Sequence, residues 1–322
     1  ADESRSRKGW FQINSPQTIG RPALVDPILM DLVQIEMPRP RLPEWARRPA
    51  TFYSSLHDLK AELRKFHLHT VCESARCPNI QECFHRGAAT FMILGNVCTR
   101  TCGFCAVPRG RPEPLDPREP ANVARMAARM RLRYVVITSV NRDELADGGS
   151  KHFAATVREV KRALPTAQVE VLTPDFRGNC CAVACVLEAG PHVFNHNVET
   201  VPRLYRRVRP QADYRQSLGV LRFARRHSPG MLTKSGFMVG LGERGDEIEA
   251  LLADLRDSGV DVVTIGQYLQ PTRRHLPVEK FVAPEVFDQY RTFALELGFR
   301  AVFSGPLVRS SYMADLVAAE AG

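Results

Sequence analysis

The stretch Thr90-Phe-Met-Ile-Leu94-Gly-Asn-Val-Cys98-Thr-Arg-Thr-Cys102-Gly-Phe-Cys105 joins a short apolar run directly to three cysteines at C-x3-C-x2-C spacing. The run at 90–94 opens a series. Further short apolar or β-branched runs fall at 134–140, 169–172, 193–196, 235–240, 262–268 and 301–304. Helical faces lie between them: Val123, Met126, Ala127 and Met130; Phe153, Val157, Val160 and Leu164; Ile248, Leu251, Leu252 and Leu255, stopping at Gly259. A last helix begins after Pro284 and stops at Gly298. Such alternation requires parallel strands covered by helices, as an α/β doubly wound sheet or a full or partial (β/α) barrel. Barrel chemistry sits at the C-terminal strand ends. Polar residues gather there: Thr138, Ser139, Asn141 and Asp143; Thr173 and Asp175; Asn195, His196, Asn197 and Glu199; Glu243; Gln267 and Tyr268.

Three thiolates are one short of the usual ligand set of a [4Fe–4S] cluster, so one iron would stay open to chelate a substrate. Zinc wants four ligands and favours paired C-x2-C knuckles, so Cys98, Cys102 and Cys105 read as iron–sulfur ligands. A second set, Cys72-Glu-Ser-Ala-Arg-Cys77-Pro-Asn-Ile-Gln-Glu-Cys83, has C-x4-C-x5-C spacing and is also one short. It reads as a second metal site, a cluster before zinc, with a fourth ligand from elsewhere in the chain. Cys180, Cys181 and Cys185 point in different directions on a helix and read as small apolar residues.

The chain has 322 residues, 44% of them apolar and 25% charged, which suits a globular protein with a sizeable core. It has no apolar run of eighteen, so no membrane span, and residues 1–9 are too polar for a secretory signal. Nine clumped cysteines are a poor disulfide framework and suit a reducing compartment. The net charge of +9 favours an acidic partner. Aromatic residues are only 8% and the arginines are scattered, which argues against a nucleic-acid-binding module. Residues 1–50 carry seven prolines and read as an extended arm, with residues 1–40 expected over the second cysteine site. A helix capped by Ser54 or Ser55 is expected next, with Leu56, Leu59 and Leu63 on one face.

The first cysteine set, with Phe104 before its last member, resembles the radical S-adenosylmethionine superfamily. Gly236-Phe-Met-Val-Gly240-Leu-Gly-Glu243 resembles that superfamily's fifth-strand motif. The two cysteine sets together resemble the lipoyl synthase family, as do segments 138–147, 172–178, 196–201, 266–276 and 304–312. The likeness runs from about Trp45 onward. It implies a partial (β/α)6-type TIM barrel with N-terminal and C-terminal extensions carrying an auxiliary cluster. The corresponding divisions are an arm at 1–50, an auxiliary segment at 51–88, the barrel at 89–300 and a C-terminal extension at 301–322.

The resemblance also implies cofactors and roles. Two [4Fe–4S] clusters and S-adenosylmethionine are expected. Cys98, Cys102 and Cys105 would hold the radical-generating cluster. Cys72, Cys77 and Cys83 would hold the auxiliary one, with a serine of Arg309-Ser310-Ser311-Tyr312, Ser311 before Ser310. The implied reaction inserts two sulfur atoms, at carbons six and eight, into an octanoyl chain on a carrier-domain lysine. Thr138, Ser139 and Asn141 are candidates for the methionine part of the cofactor. Asn197 and Glu199 are candidates for its ribose, Gly240 for its adenine and methionine portions, and Gln267 and Tyr268 for its adenine. Arg273, Arg274 and His275 serve either the carrier surface or ion pairs. Expected partners are octanoylated lipoyl carrier domains (2-oxoacid dehydrogenase E2 subunits and the glycine cleavage H protein), a ferredoxin or flavodoxin donor and an iron–sulfur cluster carrier. No nucleic acid or membrane is expected, and the cytoplasm is the expected location. A biotin-synthase-like or methylthiotransferase-like enzyme is the alternative; the C-x4-C-x5-C set and the Arg-Ser-Ser-Tyr segment argue against it.

Overall fold

A computed structural model of the chain describes residues 42–46, 61–74, 77, 79–85 and 88–311. All of them belong to one compact unit, Leu42–Gly322. Most of the expected arm, the Ser54/Ser55 cap and Tyr312 lie outside the described residues. Of the arm, a single turn at Glu44–Ala46 sets Trp45 edge-on to Phe281, ring centroids 6.4 Å apart.

Eight strands run in chain order through one sheet: β1 (His69–Thr70), β2 (Ala88–Ile93), β3 (Tyr134–Ser139), β4 (Gln168–Leu172), β5 (Val193–Asn195), β6 (Leu232–Val239), β7 (Val262–Gln267) and β8 (Ala301–Gly305). β1 is antiparallel to β2, and every later pairing is parallel. A doubly wound sheet would reverse its strand order at a switch point. This one never reverses, so it curls in one direction as a barrel does. Among the described residues no pairing returns β8 to β1. Instead the Asn79 side chain, just before β2, donates to the Leu307 carbonyl, just after β8, at 2.7 Å. The barrel is therefore partial, with its seam bridged by the two extensions.

Strand alternation sorts the core. Val135, Ile137, Val169, Val171 and Phe194 face outward and pack under the helices Glu119–Arg129, Ser150–Ala163 and Cys180–Leu187. Phe237, Val239, Val263 and Ile265 do the same under Gly245–Asp257 and Pro284–Glu296. Each fully buried side chain of this size contributes roughly 1.5–3 kcal/mol. The inner face closes on Val193, Val262 and Ala301. It also holds an ion pair excluded from water: Lys234 Nζ lies 3.1 Å from both Glu170 carboxylate oxygens, both side chains fully buried. Tyr134 Oη and Asn195 Nδ2 donate to the same carboxylate at 2.8 and 2.9 Å.

The expected strands, and the expected helices that fall on described residues, form with ends shifted by a few residues at most. Two helices outside the sequence expectation, Tyr205–Val208 and Tyr214–His227, fill the β5–β6 crossover. Asp213 caps the second by accepting from the Gln216 amide at 2.7 Å. Asn179 caps Cys180–Leu187 by accepting from the amides of Cys181 and Ala182. The cysteines of that helix divide: Cys185 packs against the core, whereas Cys180 and Cys181 are exposed. The apolar reading therefore holds for Cys185 alone, because the helix turns its first residues to solvent.

Candidate active site

The first cysteine set lies in the loop after β2, stitched to the neighbouring strand ends. Cys98 donates its amide to the Pro108 carbonyl at 2.8 Å. Its sulfur accepts the Arg100 and Asn141 amides, both at 3.4 Å. Thr99 fastens the same edge, its amide and hydroxyl both donating to the Asn141 carbonyl. The Gly103 amide donates to Val208 O and its carbonyl accepts from Leu276 N. His275 Nε2 donates to Cys105 O at 3.0 Å, so His275 holds the cluster loop itself.

Arg100, midway between two cysteines, is the centre of this arrangement. Its guanidinium donates to both oxygens of Asp143, at 2.7 and 2.9 Å, and to both of Asp175, at 2.7 Å each. One buried cation thus ties the loop to the ends of β3 and β4. Burial pushes the Cys105 thiol up to about 12, with Cys102 and Cys98 near enough to add to the rise. Cys102 is raised for the same reason. Metal binding would therefore have to displace protons.

Beside this loop, the C-terminal ends of β3–β5 leave five buried polar atoms without a partner among the described residues. They are Ser139 Oγ, Thr173 Oγ1, Asn195 Oδ1, His196 Nε2 and Asn197 Oδ1. Buried polar atoms are nearly always hydrogen-bonded, so such a cluster fits a polar ligand. His196 Nδ1 donates to Thr173 O at 2.9 Å, and burial pushes the imidazole down to about 4, so it is neutral with Nε2 open as an acceptor. Glu199, at φ +67°, has its carboxyl pushed up by burial and accepts from Asn197 Nδ2 at 3.1 Å. Arg209 fixes the Asn197 and Val198 carbonyls. Arg100 and Arg209 carry no motif signal; only their partners reveal them.

The other expected ligand contacts are placed differently. Thr138 Oγ1 donates to the Leu172 carbonyl at 2.8 Å. Gln267 Nε2 donates to Val239, Tyr268 and Lys280 carbonyls, and its Oε1 accepts from Val282 N. Tyr268 Oη donates to Leu276 O. Gln267 and Tyr268 therefore brace the end of β7, and an adenine contact through those polar atoms would require breaking these bonds. At Gly240, φ is +100° and an added Cβ would sit 2.2 Å from Gln267 Nε2. The turn, rather than an approaching ligand, demands that glycine.

The second cysteine set lines one small pocket together with Thr90, Val136, Arg309 and Ser311. Three thiols and a hydroxyl around one pocket match in number the four donors that a cubane takes. Ser310 is bonded elsewhere, to Asn197, which separates the two serines. Burial, with Cys77 adding to it, pushes Cys72 up to about 12. Among the described residues no three His, Cys, Asp or Glu side chains converge on a point that one ion would occupy. A cubane distributes its ligands over separate irons and does not need that convergence.

The segment carrying Ser311 is seated on β7. A Cβ on Gly266 would lie 2.2 Å from the Val308 carbonyl. Gly266→Ala is expected to lift this segment at a cost of about 1–3 kcal/mol, the usual range for overpacking. Chemical denaturation of the variant measures it, and an unchanged midpoint would mean the contact yields freely.

Comparison with known proteins follows the same lines. A family model described as the radical SAM superfamily matches residues 92–266. Another, the N-terminal domain of lipoyl synthase of the radical SAM family, matches 29–77. A lipoyl synthase of Rubrobacter xylanophilus is 57% identical over 84% of this chain and 85% of its own length. One of Methylococcus capsulatus is 54% identical over 90% and 91%. Among solved structures, Streptococcus suis SuiB bound to S-adenosylmethionine superposes with a TM-score of 0.54 at 11% identity, covering 79% of this chain and 57% of that one. Methylornithine synthase gives 0.50 at 16%, covering 77% and 81%. At such identities the structures speak for the fold alone. No described helix is long and apolar enough to cross a membrane.

Proposed function

The chain belongs to the lipoyl synthase family of the radical S-adenosylmethionine superfamily, and on that premise we propose that it inserts two sulfur atoms, at carbons six and eight, into an octanoyl chain held on a carrier-domain lysine. Family membership brings a [4Fe–4S] cluster and S-adenosylmethionine. The second cluster is our assignment, and the observation that carries it is the single cavity shared by Cys72, Cys77, Cys83 and Ser311. When bound, the cofactors supply one-electron cleavage of S-adenosylmethionine, hydrogen abstraction and, from the auxiliary cluster, the sulfur.

The protein's own part is placement and exclusion of water. Cys98, Cys102 and Cys105 hold the radical-generating cluster, and Arg100 fixes their loop against β3 and β4. Ser139, Asn197, Glu199 and neutral His196 offer polar groups to the cofactor at the strand ends, with Thr138 and Asn141 shaping the wall. Ser311 offers a hard oxygen on a site of soft thiolates, a weaker ligand by nature and easier to release. The apolar inner layer and the Glu170–Lys234 pair close the barrel below, which keeps water from reactive species.

The domain division at 1–50, 51–88, 89–300 and 301–322 follows this assignment of sites. The +9 charge steers acidic carriers, E2 lipoyl domains and the H protein, toward the strand ends. A ferredoxin or flavodoxin would supply electrons, a cluster carrier would rebuild the auxiliary site, and the cytoplasm would house them. Iron counting after anaerobic reconstitution tests the reading. The wild type is expected to hold about eight irons, and a Cys72, Cys77 and Cys83 to Ala triple variant about four, as two cubanes require. About four irons in both proteins would remove the second cluster and with it the sulfur donor.

A further inference from the structure

The two serines of the C-terminal segment are neighbours in sequence and serve different places. Ser311 lines the second cysteine cavity. Ser310 Oγ accepts from Asn197 Nδ2 at 2.5 Å, across 113 residues of chain. Asn197 is buried at the end of β5, and its other amide hydrogen goes to Glu199 Oε1 at 3.1 Å. With both donors engaged, the Asn197 side-chain oxygen is left buried and without a partner among the described residues. A primary amide is free to turn about its last side-chain bond, and two fixed donors remove that freedom. The main chain of Asn197 is already fixed by Arg209, which donates to its carbonyl at 2.9 Å. Ser310 therefore completes the set of contacts that fixes one acceptor, Asn197 Oδ1, at the end of β5 beside Gly236 of β6.

We propose that Ser310 is a positioning residue of the S-adenosylmethionine site, acting through Asn197, so that one short segment completes both centres of the enzyme. This rests on the reading of Asn197 as a cofactor contact. An acceptor held in this way suits a hydroxyl donor, such as one hydroxyl of the ribose. The segment itself is held from below by Gly266, whose missing side chain lets Val308 sit on β7. Loosening the segment would therefore disturb cofactor binding and the sulfur-donor cavity together, whereas changing one serine would disturb only one of them.

The test uses reconstituted full-length protein, iron content and equilibrium binding of S-adenosylmethionine. Ser310→Ala is expected to keep the wild-type iron content and to weaken S-adenosylmethionine binding about tenfold, the scale of one buried hydrogen bond. Ser310→Thr keeps the hydroxyl and is expected to restore most of the affinity, which a merely space-filling role would not require. Asn197→Ala is the control, expected to weaken binding at least as much. Normal affinity in Ser310→Ala beside weak binding in Asn197→Ala would overturn the link while leaving Asn197 in the site. Normal affinity in both would overturn the reading of Asn197, and the proposal with it. Loss of iron from Ser310→Ala at unchanged affinity would place Ser310 at the cysteine cavity and overturn the proposal.

Discussion

Replacing Arg100 with methionine is expected to destabilise the protein by about 3–5 kcal/mol, the cost of leaving a buried carboxylate without its cation. The Arg100 side chain is 4% exposed and that of Asp175 0%, so water cannot take over the lost partner. Burial by itself would push the Asp175 carboxyl up; Arg100 outweighs it and holds the group down at about 2. A carboxylate depressed on folding contributes stability that is present above its unfolded value near 4 and lost as pH falls through the folded value. The wild type should therefore lose this contribution between about pH 4 and pH 2. In Arg100→Met the uncompensated carboxylate is relieved by protonation, so the gap between the two proteins should narrow as pH falls. Urea unfolding at a series of pH values measures both effects. A loss under 1 kcal/mol at neutral pH, or a gap that widens on acidification, would show that the clamp does not bear on stability.

The barrel interior sets up the second large effect. Lys234→Met is expected to remove about 3–5 kcal/mol, because it takes the cation away from the buried Glu170 side chain and leaves Tyr134 and Asn195 as its hydrogen-bond partners. The double variant Lys234→Met with Glu170→Leu should regain most of that loss, since a buried pair replaced by apolar groups of similar size is often neutral or better. The coupling of the two changes, read from a double-mutant cycle, should exceed 1 kcal/mol. Additive losses would mean that the two side chains act independently despite their 3.1 Å contact.

Periodicity made the architecture legible. Val123, Met126 and Ala127, or Ile248, Leu251, Leu252 and Leu255, announce helices because burial repeats with the helical turn. The helix Tyr214–His227 went unread although it buries Leu218, Leu221 and Ala224 on one face, because arginines crowd the rest of the segment. Choice between a doubly wound sheet and a barrel depends on strand order, which no local signal encodes. The cysteine sets were visible because metal ligands must cluster. Arg100, Glu170 and Lys234 were not, because an ion pair between residues 64 or 75 positions apart leaves no trace in spacing. Asn179 caps the helix Cys180–Leu187, a role that depends on where the next helix begins. Gln267 and Tyr268 stood at a strand end as ligand contacts do, but strand ends also need bracing.

The unbroken strand order has a bearing on how the molecule assembles. Each strand pairs with the one preceding it in the chain, so the sheet can grow by local additions, each closing only the loop of one crossover. The contact at the seam stands outside this stepwise growth. The Asn79–Leu307 bond joins residues 228 apart. Closing that loop in the unfolded chain costs more entropy than closing one crossover, by about 0.6 kcal/mol for each doubling of length, and the excess disappears once the intervening strands have brought its ends together. Closure of the seam is thus expected to come last, after the walls on which both cysteine-bearing loops rest have formed.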